Sequence, residues 1–330
     1  MTLLVVHPHF HFRRTGVTGH VEAIVPALAA GTDARVMGRT LMERLPRITV
    51  WELLRRARTG PVVWHAHRNN ELLVGLLLRV LRPKLKVVVT RHSATAPGAY
   101  TRFLLARADS IISLTRQVAA QVGQTRDVIG HGVDLERFRP PDGGRDAAWK
   151  ALGVGGALGI GVVGRIRPEK GQGDFATALG PLWSKYPAWS GLLLGRVQAR
   201  DLNWSRALFS ERLTHLEERG DPLGVYQGLT VLVQPSHSEG YSLVLLEALA
   251  SGCCVVASRL PHFPELVEEG QTGFLYPPGD VEALRIILDR LMAHPKEAQE
   301  VGARAALAAR ARLGIEHEAR ALLAVYGRLG

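Results

Sequence analysis

The chain has 330 residues, 46% of them hydrophobic and 22% charged, enough apolar material for two cores of ordinary size. No apolar run reaches the roughly 18 residues that a membrane span needs, so no transmembrane segment is expected. The net charge of +11 is lopsided: residues 1–150 carry 23 Lys/Arg against 11 Asp/Glu, and residues 151–330 carry 18 against 19.

The opening MTLLVVHPHF lacks the basic lead and long apolar core of a secretory signal. Short apolar runs then alternate with stretches of helical length. The expected strands are LLVVH (3–7), ARVMG (34–38), VVWHA (62–66), KVVVTR (86–91), SIISL (110–114) and DVIGH (127–131). They continue with LGIGVVG (158–164), WSGLLLG (189–195), LTVLVQP (229–235) and CCVVAS (253–258). Most lack polar alternation, as strands covered on both faces do. Helical spacing recurs between them, as in VEAIVPALAA, NNELLVGLLLRVL, AYTRFLLARA and RQVAAQV. Such alternation predicts an α/β protein with parallel sheets wrapped by helices.

The alternation breaks at RPPDGGRDAAWKALGVGGALG (139–159), rich in glycine and proline. We expect a first doubly wound domain over 1–142, a linker over 143–157, and a second doubly wound domain over 158–315. Residues 316–330 are expected to pack back on the first. Open α/β sheets bind ligands beyond the carboxyl ends of their strands, so a cleft between two Rossmann-like domains is the expected site. Cys253 and Cys254 are the only cysteines, and adjacent, so neither a disulfide framework nor a cysteine metal site is expected and a cytoplasmic setting follows.

In GRIRPEKG (164–171) a buried strand runs into Gly164, Arg165, Lys170 and Gly171, and a helical stretch follows. Two cations at a strand end beside a helix N-terminus suit a diphosphate, although a solvated basic turn has the same composition. In SHSEGYSLVLLEALASG (236–252), Ser242 is the expected N-cap and Gly252 the stop of an almost wholly apolar helix. Glu247 lies inside that helix and Glu239 just before it. A buried carboxylate needs a partner, and a ribose or sugar diol supplies two O–H donors. A turn glutamate plus a structural buried one is the plain alternative.

Arg-…-Glu-Lys-Gly followed by Glu-x7-Glu resembles the retaining nucleotide-sugar glycosyltransferases of family GT4, which have the GT-B fold. HGVDLERFRPP (131–141) resembles their interdomain segment, and FPELVEEGQTGFLYPPGD (263–280) their late loop. HFRRTGVTGHVEAIVPALAA and VVWHAHRNNELLVGLLLR look closest to bacterial lipopolysaccharide-core mannosyltransferases. The resemblance implies that Arg165 and Lys170 hold the nucleotide diphosphate, that Glu247 binds ribose, and that Glu239 contacts the donor sugar's hydroxyls. It places donor-binding backbone at Gly164 and from Gly240 through Tyr241, Ser242, Leu243 and Val244. It puts Gly16 near the donor phosphate and His92 near the reacting centre.

The implied activity is transfer of a sugar, with GDP-mannose the first expectation for donor and UDP-sugars the alternative. The acceptor is a lipopolysaccharide-core or lipid-linked glycan. No metal and no cofactor beyond the donor are expected, since no acidic DxD-type cluster is evident and fixed cations can stabilise a leaving diphosphate. His7, His9 and His11 alternate along the first strand, where acceptor or phosphate contact competes with a structural role. Arg13, Arg14, His67 and Arg68 are candidates for an anionic acceptor. The basic first half suits docking on the anionic inner face of a cell membrane. Nucleic-acid binding is the contrasting reading, but no RNP-like motif occurs and aromatics make up only 6%. No GxGxxG supports a dinucleotide enzyme. The stretch 196–230 is shorter than the family pattern, which leaves the base preference open and raises the expectation that one sheet lacks a strand.

Overall fold

The computed structural model describes residues 2–218 and 220–329. The chain divides into two compact units. The first runs to Gly132 and resumes at Gly314; the second is Val133–Leu313.

In the first unit β1 (Leu4–His9), β2 (Asp33–Gly38), β3 (Val62–Ala66), β4 (Leu85–Arg91), β5 (Ser110–Ser113) and β6 (Asp127–Val128) form one sheet in the order β2-β1-β3-β4-β5-β6. In the second, β7 (Leu158–Val163), β8 (Trp189–Leu194), β9 (Leu213–Leu216), β10 (Leu229–Gln234), β11 (Cys254–Ser258) and β12 (Gly273–Tyr276) follow the order β12-β11-β10-β7-β8-β9. Every neighbouring pair is parallel. β1, β3, β8 and β10 are buried throughout, which is why they read as unbroken apolar runs. The parallel pairing brings the carboxyl ends of β1, β3 and β4 side by side in one unit, and those of β7 and β10 in the other.

Two expectations need correction. The stretch 196–230 does not cost its sheet a strand, because β9 pairs with β8 along Leu213–Leu216 and closes that edge. The linker expected over 143–157 is part of the second unit's core, and the division falls earlier, at Gly132/Val133. Helix Arg145–Ala151 buries Trp149, whose ring occupies the space a side chain at Gly159 would need and whose indole N–H donates to the Gly155 carbonyl at 2.8 Å. The Arg145 guanidinium donates to the carbonyls of Tyr226, Leu229, Ser251 and Gly252 at 2.5–3.0 Å. The glycines there make tight turns around a clamp.

The helix Ile315–Gly327 belongs to the first unit. Ile315, Ala319, Leu322 and Tyr326 recur at helical spacing and enter the core formed by Val5, Ile24, Val36, Val63 and Val88. Among the described residues no helix is long and apolar enough to cross a membrane.

Trp149→Ala is expected to cost about 3–5 kcal/mol, the range for emptying a buried aromatic site. Urea unfolding measures it. A linker residue would change stability by no more than about 0.5 kcal/mol.

Candidate active site

In the second unit, the turn after β7 and the turn after β10 are locked together by backbone. Gly171 adopts φ +71°, and a Cβ there would lie 1.9 Å from the Pro235 carbonyl oxygen, so only glycine allows the approach. The His237 N–H donates to the Glu169 carbonyl at 3.0 Å. The Gln172 amide donates to the Arg165 carbonyl at 3.0 Å, holding the first turn closed.

This lacing brings Lys170 and Glu239 into a direct ion pair, with their side chains 18% and 13% exposed. The same carboxylate oxygen accepts from the Gln234 amide at 2.9 Å and the Ser236 hydroxyl at 3.0 Å. Glu239 is therefore fixed by three donors on Oε1. Arg165 is exposed, and its guanidinium makes no hydrogen bond or ion pair among the described residues. Gly164 ends β7 at the same turn, half-buried.

Helix Leu243–Ala250 starts as expected: Ser242 is the N-cap, and its hydroxyl accepts the Leu245 N–H at 3.2 Å. An α-helix leaves its first N–H groups without intrahelical partners, so those of Leu243 and Val244 point outward at this end. Gly240 and Tyr241 lead into it, and the Tyr241 ring stacks on His262 with centroids 5.9 Å apart. Glu247 is half-buried, and its Oε2 accepts the Tyr226 hydroxyl at 2.7 Å. Burial pushes its carboxyl up to about 7, against the opposing pull of Tyr226. Burial and the Glu247 charge together push the Tyr226 hydroxyl well above its usual value.

Several partners were not singled out in the sequence. Tyr226, Gln234 and Ser236 each hold one of the two glutamates. His262 is buried with Nε2 unpartnered among the described residues, and burial lowers it to about 4 although Glu239 pulls the other way. Its only signal was its position immediately before the late loop already noted.

The first unit holds the other candidates. Gly16 opens helix Gly16–Leu28 after the N-cap Thr15. Arg14 forms a two-pronged pair with the buried Glu22, at 2.9 and 2.5 Å. Arg68 binds the buried Glu71 at 3.1 Å and the Thr15 hydroxyl at 2.9 Å. Both arginines, candidates for an anionic acceptor, already compensate buried carboxylates, Arg14 while still 49% exposed; Arg13 is exposed as well.

His67 and His92 are links in a chain of imidazoles. His7 Nδ1 meets His67 Nε2 at 3.0 Å, His67 Nδ1 meets His92 Nε2 at 3.0 Å, and His92 Nδ1 meets His131 Nε2 at 3.2 Å. Both ring nitrogens of His92 are thus engaged by other histidines. Burial lowers all four rings, His7 and His131 to about 3, so they are neutral at physiological pH. The alternating His7, His9 and His11 do not act together: His9 binds the Thr18 hydroxyl at 2.7 Å and His11 the Arg13 carbonyl at 2.9 Å.

Residues 157–294 match the family of group 1 glycosyl transferases. The chain is 35% identical to the lipopolysaccharide core biosynthesis mannosyltransferase LpcC of Rhizobium leguminosarum bv. viciae, covering 98% of this chain and 96% of that one. It is 32% identical to the corresponding LpsB of Rhizobium meliloti (strain 1021), over 98% and 97%. Among solved structures it resembles Anabaena HepE, crystallised with UDP and glucose, at a TM-score of 0.82 over 99% of this chain and 100% of that one. At 17% identity that is a likeness of fold, and the fold is GT-B.

A carboxyl whose folded pKa lies above its unfolded value contributes stability that is complete below about pH 4.3 and is lost as pH rises through the folded value. Glu247→Gln is therefore expected to gain stability relative to wild type between pH 5 and pH 8. Paired urea titrations across that window measure the gain; a constant difference would mean that Glu247 is not held in its protonated form.

Proposed function

Because the chain belongs to the group 1 glycosyltransferases, we propose that it moves mannose from GDP-mannose to a hydroxyl of a lipopolysaccharide-core or other lipid-linked glycan. In this reading the anomeric configuration is retained and the chemistry needs no metal ion. The two mannosyltransferase relatives support the sugar and the acceptor class. The observation that carries the mechanism is the Lys170–Glu239 pair, on turns held at the carboxyl ends of β7 and β10.

The bond that breaks joins the sugar's anomeric carbon to a phosphate oxygen, and negative charge develops on the departing diphosphate. Lys170 and the exposed Arg165 are the cations placed to receive it, with the outward N–H groups of helix Leu243–Ala250 as fixed dipoles. As Lys170 turns to phosphate, Glu239 exchanges an ammonium for the donor sugar's hydroxyls. It keeps Gln234 and Ser236, so the carboxylate is not left bare. Tyr226 occupies Oε2 of Glu247, which leaves Oε1 to accept from the ribose diol. The acceptor attacks from the side the diphosphate leaves, and its proton passes to the departing phosphate oxygen, so no carboxylate nucleophile is required.

Docking on a membrane is supported by one surface of the first unit. Leu77, Val80 and Leu81 on helix Asn69–Leu81 and Tyr100 and Phe103 on the neighbouring helix Ala99–Leu105 are exposed, Val80 to 80%. Lys84, Arg102 and Arg107 stand exposed around them. Exposed apolar side chains with cations on and just after the same two helices suit an anionic lipid surface, where each cation contributes about 1 kcal/mol.

GDP-mannose is expected to raise the melting temperature and to yield glycosylated product, whereas UDP-glucose, UDP-GlcNAc and UDP-galactose do neither. A response to a UDP-sugar alone would move the reading to that donor. Lys170→Ala is expected to lower kcat about 10²–10³-fold, as loss of a fixed charge-stabilising donor does. Glu247→Ala should act mainly by raising the donor KM. Wild-type kinetics in both variants would remove the site. Co-sedimentation with phosphatidylglycerol vesicles is expected to weaken in molar salt and in Leu77→Asp/Val80→Asp; binding unchanged by either would overturn the docking surface.

A further inference from the structure

Sugar transfer leaves one group of side chains in the first unit without a task. His20 on helix Gly16–Leu28, His131 after β6 and Glu318 on helix Ile315–Gly327 are each at most 5% exposed. His20 Nε2 and His131 Nδ1 approach the same Glu318 oxygen, Oε1, at 3.3 and 3.2 Å, and the three ligand atoms all lie within 4.8 Å of one another. The other Glu318 oxygen accepts the Gly132 N–H at 2.7 Å, which fixes the carboxylate's orientation. The far nitrogen of His131 is held by His92.

Two features set this group apart from an ordinary buried hydrogen-bond cluster. Its N···O distances exceed the roughly 2.7–2.9 Å of charge-assisted bonds. Ligand atoms about 2.0–2.1 Å from a tetrahedral zinc ion stand roughly 3.3–3.4 Å apart, close to the two N···O distances. The charge is also unbalanced: among the described residues no lysine or arginine pairs with Glu318, whose side chain is 4% exposed. A buried carboxylate faced only by neutral imidazoles lacks a counter-charge.

We propose that His20, His131 and Glu318 form a binding site for one divalent transition-metal ion of the zinc class, fastening helix Ile315–Gly327 to helix Gly16–Leu28 and to the segment after β6. Two imidazoles and a carboxylate are ligands such ions accept, and neutral rings need lose no proton to bind. The site lies in a different unit from Lys170, Glu239 and Glu247, so it does not depend on the proposed sugar-transfer chemistry. Coordination fixes tautomers beyond the ligands. With the metal on Nδ1, His131 carries its proton on Nε2 and donates to His92, and the same direction passes along His67 to His7. Without metal, His131 donates from Nδ1 to Glu318 and the chain runs the other way.

The test uses the full chain, free of any affinity tag and stripped with chelator. Zn²⁺ is expected to bind at one ion per chain and raise the melting temperature, and Co²⁺ to give a visible absorption band of tetrahedral type. Glu318→Gln and His20→Ala should lose both responses, while His237→Ala, in the second unit, keeps them. Wild type without a thermal or spectral response, or Glu318→Gln retaining full stoichiometry, overturns the proposal. If neither variant folds, ¹⁵N spectra of wild-type histidines decide it. Zinc must then convert His131 from the Nδ1–H to the Nε2–H tautomer, and unchanged ring shifts refute the site.

Discussion

Glu239 sits at the end of a turn with three donors on a single oxygen, and the geometry of the second unit follows from keeping them there. Gln234 and Ser236 come from the tail of β10 and the residues just beyond it, so they are in place as soon as the strand is. Lys170 comes from the turn after β7, and reaches Glu239 only because Gly171 lets the two turns touch. A carboxylate with two permanent neutral partners and one exchangeable cation can release the cation to a ligand without being stranded. In the proposed reaction the pairing holds the site together before the donor arrives and gives way when it does.

The two units treat buried charge differently. In the second, Glu247 is half-buried and holds one hydroxyl, leaving an oxygen uncommitted. In the first, Glu22 and Glu71 are buried against arginines, and Glu318 against imidazoles. The first two are closed pairs that hold the loop after β1 and the start of helix Asn69–Leu81. Only carboxylates with spare acceptor capacity or no cation remain available for chemistry or binding.

Much of this was legible in the sequence because burial on both faces of a parallel strand leaves an apolar run with no alternation. The strands missed, β9 and β12, are edge strands: Thr214 and His215 interrupt the apolar run of β9, and β12 lies inside the stretch 263–280 that reads as a loop. Residues 143–157 read as a linker because five of them are glycine and two prolines stand just before them, although Trp149 and Arg145 do the packing there. The Lys170–Glu239 pair joins two stretches whose chemistry stood out in the sequence, and Glu247, the one acid inside an apolar helix, demanded a partner. The partner itself was not legible: Tyr226 reaches Glu247 through tertiary packing. The imidazole chain was hidden for a related reason. His7, His67 and His92 lie far apart in sequence and become neighbours because β1, β3 and β4 are adjacent and parallel.

The return of helix Ile315–Gly327 to the first unit bears on how the chain is made. The second unit is one continuous segment and has all its residues once Leu313 has left the ribosome. The first, although begun earlier, still lacks Ile315, Leu322 and Tyr326 at that moment, and the sheet face they cover stays wet. Biosynthetic order and completion order are therefore reversed, and the earlier-made half is the one a chaperone has most time to meet.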